Sequence, residues 1–155
     1  MRANLWAQRQ VSDDGQSSER RTRKSDAEMR EWVRANKVAE QASILREMRD
    51  RVAKVVSISG DGSAGPRLGL SLPARQMVLC SYVGKQYAAA AGLATDATVE
   101  NRELVDGLGL PKGTVGRCVK ELRDVRLIQV MEEGRHVLPI SNIERALKEI
   151  ELGIQ

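Results

Sequence analysis

The chain has 155 residues, 41% hydrophobic and 30% charged, with a formal net charge of +4. That length holds one domain plus an extension, and the absence of any apolar run of about 18 residues leaves no candidate membrane span. With no Phe, two Trp and two Tyr, the core has to be aliphatic, and the aromatic stacking platforms typical of single-strand and RNA readers are not expected.

Residues 1–25 are polar and irregular, with Asp13-Asp14-Gly15, Ser17-Ser18 and the basic run Arg20-Arg21-Thr22-Arg23-Lys24. So little apolar surface predicts a disordered basic tail. From residue 26 to 56 there is no Gly or Pro, and Ala, Glu, Arg, Met and Lys dominate, which predicts one long helix with Asp26 as N-cap. Val38, Leu45 and Val52 recur every seven residues, and Met48 and Val55 fill the position three further on. Two readings stay open: a dimerisation helix, or a helix packed on its own domain. Residues 57–71, rich in Gly and Ser, read as a flexible connection.

A second helix is predicted from Leu72 to Ala91. Pro73 stands in its first turn, Met77, Cys80, Val83 and Tyr87 share one face, and Gly92 ends it. Thr98-Val99 reads as a minimal strand. Asn101 then caps a helix running to Leu108, buried through Leu104, Val105 and Leu108. Gly109 supplies a tight turn, Leu110 plugs the angle, and Pro111 opens a helix striped by Val115, Cys118, Val119 and Leu122. Residues 128–140 read as a β-hairpin turning at Glu132-Glu133-Gly134. Ser141-Asn142-Ile143-Glu144 matches a capping box for a last helix over 142–152, with Ile143, Ala146, Leu147 and Ile150 on one face.

Helix, helix, turn, helix, hairpin is the order of a winged helix. Residues 72–140 resemble the winged helix-turn-helix superfamily of bacterial and archaeal DNA-binding regulators. The resemblance is carried by Glu103-Leu104, Leu108-Gly109-Leu110, Thr114-Val115, Leu122 and Leu127-Ile128. It does not extend to the first 70 residues, and it specifies a superfamily rather than a single family. The implied fold class is mainly α, a three-helix winged module with a β-hairpin wing, flanked by the long N-terminal helix and the C-terminal helix.

The resemblance implies that the helix over 111–124 enters the major groove of double-stranded DNA. Lys112, Gly113, Thr114, Gly116, Arg117 and Lys120 would then form the contact surface, with Arg102 and Arg135 as outlying cations. Arg117 suits a guanine edge, Lys112 and Lys120 suit phosphates, and Thr114 suits a phosphate or a thymine methyl. Residues 71–155 carry 11 Lys/Arg against 11 Asp/Glu, but residues 111–126 hold five against two, so a neutral half contains a basic stripe. The chain departs from the family pattern in placing Pro111, Gly113 and Gly116 where Ser is common. It also has Arg126 where Gly usually precedes Leu-Ile, and acids at the wing tip.

The expected function is a DNA-binding transcriptional regulator, cytoplasmic and nucleoid-associated. It would act as a homodimer through the helix 26–56, the helix 142–152, or both. A plasmid or viral partition or replication factor would use the same module, and a protein–protein adaptor is the competing class. Cys80 and Cys118 read as buried core thiols, and with His136 the only histidine neither a zinc site nor a catalytic triad can be assembled. Enzymatic activity, a cofactor, a membrane partner and a small-molecule ligand are not expected. His136 reads as a surface residue.

Overall fold

The computed structural model describes residues 2–154, with side chains at Arg23 and from Ser25 to Ile154. The chain divides into two compact units, residues 1–42 and 43–155. Helix α1 (Arg2–Val55) accounts for the first. It includes residues 2–25 of the 1–25 segment for which composition predicts disorder, so Asp26 is an interior residue and not an N-cap. No proline interrupts that stretch, and a helix once begun gains a hydrogen bond for each residue it adds. Of the basic run 20–24, only the Arg23 side chain lies among those described. Met29, Trp32, Val33 and Val38 in the first unit are all exposed.

The second unit begins with the last turns of α1 and continues through a hairpin, β1 (Val56–Ile58) and β2 (Ala64–Pro66), to α2 (Ala74–Ala90). Then come β3 (Val99–Glu100), α3 (Asn101–Leu108), α4 (Lys112–Asp124), β4 (Gln129–Glu132), β5 (Arg135–Val137), a 3-10 turn at Ile140–Asn142, and α5 (Ile143–Leu152). Among the described residues the protein is therefore mainly helical, with five α-helices and small antiparallel sheets. Helix α2 runs through the middle of this unit and packs against β1, β2, α3, α4 and α5. Its Val78, Leu79, Tyr82 and Val83 meet Leu104 of α3, Val115, Val119 and Leu122 of α4, and Ile143, Leu147 and Ile150 of α5 in one aliphatic cluster. Each such side chain contributes about 1.5–3 kcal/mol on burial.

The part of the seven-residue pattern in α1 that follows Val38 is used within this unit. Met48, Val52 and Val55 are buried in the same cluster, and Ile44 and Leu45 pack against it. The Tyr87 hydroxyl donates to the Leu45 carbonyl at 2.7 Å. Likewise the apolar face of α5 is consumed by α2, so that face is not free for a second subunit.

Of residues 57–71, predicted to be a flexible connection, those up to Pro66 instead belong to a hairpin laid on α2. Val56 pairs with Pro66 and Ile58 with Ala64. The turn is tied by Asp61, whose Oδ1 accepts from the Ser63 amide at 3.0 Å and the Ser63 hydroxyl at 2.7 Å; these bonds hold its carboxyl below the usual range. The fit depends on Gly84 of α2. A Cβ there would lie 2.5 Å from the Ala64 methyl and 2.8 Å from a Val56 methyl.

The three-stranded sheet has the order β3-β5-β4, antiparallel throughout, with the β4–β5 register slipping between Val130 and Glu132. The capping box predicted at Ser141 does not form, since α5 starts without a side-chain cap. The Asn142 amide instead donates to the carbonyls of Arg126 (3.1 Å) and Leu127 (3.0 Å). It thereby fastens the end of α4 to the start of α5.

Candidate functional site

Helices α3 and α4 meet at a turn set by one residue. Gly109 is left-handed at φ 67°, and its amide closes the end of α3 on the Val105 carbonyl. Pro111 then lies extended, at φ −59° and ψ 145°, as the N-cap of α4. Its carbonyl accepts from the Val115 amide at 3.0 Å, so the missing proline N–H costs nothing there. No side chain caps the α4 N-terminus, which leaves the first amides of the helix and its positive dipole end open to an anion.

Burial of Val115, Cys118, Val119 and Leu122 fixes the rotation of α4. Lys112, Gly113, Gly116, Arg117 and Lys120 are consequently exposed, and Thr114 is half-buried. A Cβ at Gly113 or Gly116 would meet nothing within 4 Å, so packing inside the chain does not call for glycine at either position. Arg117 Nε lies 3.9 Å from Glu121, a loose pair at the surface that solvent weakens. Among the described residues, neither Lys112 nor Lys120 has a carboxylate within salt-bridge distance. Cys118 lies beneath this face, its thiol pushed up chiefly by burial, and the Cys80 thiol is pushed up to about 12 for the same reason. Both are free and buried.

The two outlying cations stand apart from this face. Arg102 is exposed on α3, 3.8 Å from Asp106. Arg135 is committed to Glu100 across the β3–β5 pair, with Nε at 2.9 Å and Nη2 at 2.8 Å from the same oxygen. The hairpin tip carries Glu132 and Glu133, both exposed, beside Gly134 at φ 76°.

His136 is not a surface residue. It is 5% exposed on the central strand β5, between Val99 and Val130. Neither ring nitrogen has a hydrogen-bond partner among the described residues. Burial, and then the charge of Arg123, hold its pKa below the ordinary value. The alternation of β5 carries the signal: Arg135 and Val137 face one way, and His136 faces the other, toward the core.

Arg123, counted in the basic stripe over 111–126 but not among the predicted contact residues, lies on the same face of α4. Lys112, Gly116, Lys120 and Arg123 fall at i, i+4, i+8 and i+11 and so share one helical face, with Arg123 exposed in the last turn. Beside that turn Arg145 of α5 donates to the Val125 carbonyl at 2.5 Å. The row of cations therefore runs the length of α4.

Comparison with protein-family models, curated proteins and solved structures returned no match. Among the described residues, no group of three His, Cys, Asp or Glu side chains is placed to hold a metal ion. A polar cavity of about 470 Å³ is lined in part by Asp61, Lys85, Asp96, Glu103 and Arg135. Its cations are paired, Lys85 with Glu103 at 3.1 Å and Arg135 with Glu100, and Asp96 and Asp61 accept from the Thr98 and Ser63 hydroxyls.

Proposed function

We propose that residues 72–140 form a winged helix-turn-helix module that binds double-stranded DNA, with α4 in the major groove, and that the protein is a transcriptional regulator. One observation carries this reading. A solvent-facing cationic helix with an uncapped N-terminus follows a left-handed glycine turn and is held by a buried aliphatic stripe. Exposed glycines at positions 113 and 116 let a backbone or phosphate come close. Lys112 and Lys120 contact phosphates, and Arg117 reads a base edge with its two-pronged donor geometry.

The protein acts as a homodimer through α1. Met29, Trp32 and Val33, three and four residues apart on one helical face and all exposed, support this reading. Trp32→Glu with Val33→Glu is expected to convert a dimer to a monomer in sedimentation velocity.

A mobility-shift titration with random-sequence duplex at low and moderate salt tests the proposal. Binding should weaken steeply with salt and be abolished by Lys112→Ala, Arg117→Ala and Lys120→Ala together, with the fold retained. No shift at any salt would favour a protein–protein adaptor instead. That second reading draws on the acidic hairpin tip and on the neutralisation of Arg135 by Glu100, both unfavourable to a wing inserted beside phosphates.

A further inference from the structure

The C-terminal end of α4 is built on a backbone conformation that its sequence does not favour. Arg126 has φ 60°, the one non-glycine residue with positive φ among the described residues. The hydrogen bonds around it define a Schellman motif: the Arg126 amide donates to the Arg123 carbonyl at 3.0 Å, and the Leu127 amide to the Leu122 carbonyl at 3.0 Å. Leu122 and Leu127 are both buried, as the hydrophobic contact of that motif requires. Glycine is the usual occupant of the left-handed position because any Cβ is disfavoured there. The surroundings over-determine the turn, since the Asn142 amide holds the carbonyls of both Arg126 and Leu127.

The Arg126 side chain is exposed and is bound to no carboxylate among the described residues. Nothing inside the chain accounts for an arginine here. Arg123 precedes it in the last turn of α4, and Arg145 of α5 reaches that turn at the Val125 carbonyl; Asp124 is the acid of that turn, and Glu144 of α5 is 3.8 Å from Lys148.

We propose that Arg126 is a phosphate-contacting residue of the duplex interface, retained for its guanidinium at a position whose backbone favours glycine. The proposal rests on the duplex reading above. Helix α4 has 13 residues and is therefore about 20 Å long, whereas the major groove is about 12 Å wide. With its N-terminal half in the groove, its last turn reaches the flanking sugar–phosphate backbone. A planar guanidinium suits that ligand because it can bind two oxygens of one phosphate.

The test compares wild type, Arg126→Gly and Arg126→Lys in thermal unfolding and in fluorescence-anisotropy titration of a labelled random duplex, between about 50 and 200 mM salt. Arg126→Gly is expected to raise the melting temperature by about 3 °C while weakening duplex binding about three- to tenfold. The slope of log K against log salt should fall by about 0.9, the value of one phosphate contact, and Arg126→Lys should keep the wild-type slope. A glycine variant that binds with unchanged affinity and slope overturns the proposal, and so does one that gains no stability. If wild type itself shows no salt-dependent duplex binding, the duplex reading falls and Arg126 with it, an outcome visible without either variant.

Discussion

Glycine in the middle of a helix costs about 1 kcal/mol relative to alanine, yet Gly84 sits midway along α2. The hairpin explains it, since the 2.5 Å and 2.8 Å approaches of Ala64 and Val56 leave no room for a methyl group. Gly84→Ala is expected to destabilise the protein by about 1–3 kcal/mol through overpacking, the reverse of its effect on an isolated helix; urea denaturation checks the sign. Gly116 presents the opposite case, because open space surrounds it. Gly116→Ala should stabilise the fold by up to about 1 kcal/mol and weaken duplex binding, read by paired urea and anisotropy titrations. His136 makes stability depend on pH. Its folded pKa lies below 6.5, so the unfolded chain binds the proton first as pH falls. Stability contributed by the neutral imidazole is whole above about pH 6.5 and declines below it toward the folded pKa. The urea midpoint should drop over that interval in wild type, and His136→Leu should flatten the profile there.

Among the elements, α3 and α4 were the most legible. Their apolar spacing, Gly109 and Pro111 specify the turn locally, and the spans Asn101–Leu108 and Lys112–Asp124 follow closely, but the cap of α3 falls at Glu100, with no side-chain cap, and Asn101 is its first helical residue rather than the cap predicted. The hairpin β1–β2 was not legible. Ser57–Ser71 has the composition of a linker, and the order of its hairpin comes from strand pairing and from α2, whose Gly84 lies 20 residues beyond Ala64. The start of α5 misled for a related reason: Ser141 and Glu144 have capping-box spacing, but Asn142 is drawn to the end of α4. Asn142→Ala is expected to cost about 1–2 kcal/mol by releasing two carbonyls and the turn they hold, measurable as a lower urea midpoint with unchanged slope.

For the molecule as a unit that unfolds, the buried cluster runs from Met48 to Ile150, within residues 43–155. A chain lacking residues 1–42 is therefore expected to keep its melting temperature within about 3 °C and to unfold in one cooperative step. On the dimer reading it sediments as a monomer, and its duplex affinity drops because two half-sites are no longer bound together.

The amino-acid order alone settled the helical character beyond residue 25, the spacing of α3, turn and α4, and the outward basic face of α4, because each depends on contacts within about four residues. Contacts between distant segments assigned the other features. They spent the heptads of α1 on Tyr87 and the α2 core, turned a glycine-rich stretch into a hairpin, buried His136 and bound Arg135 to Glu100. The Tyr87–Leu45 and Arg135–Glu100 bonds join residues 42 and 35 positions apart, where side-chain periodicity carries no information and only the folded packing selects the partner.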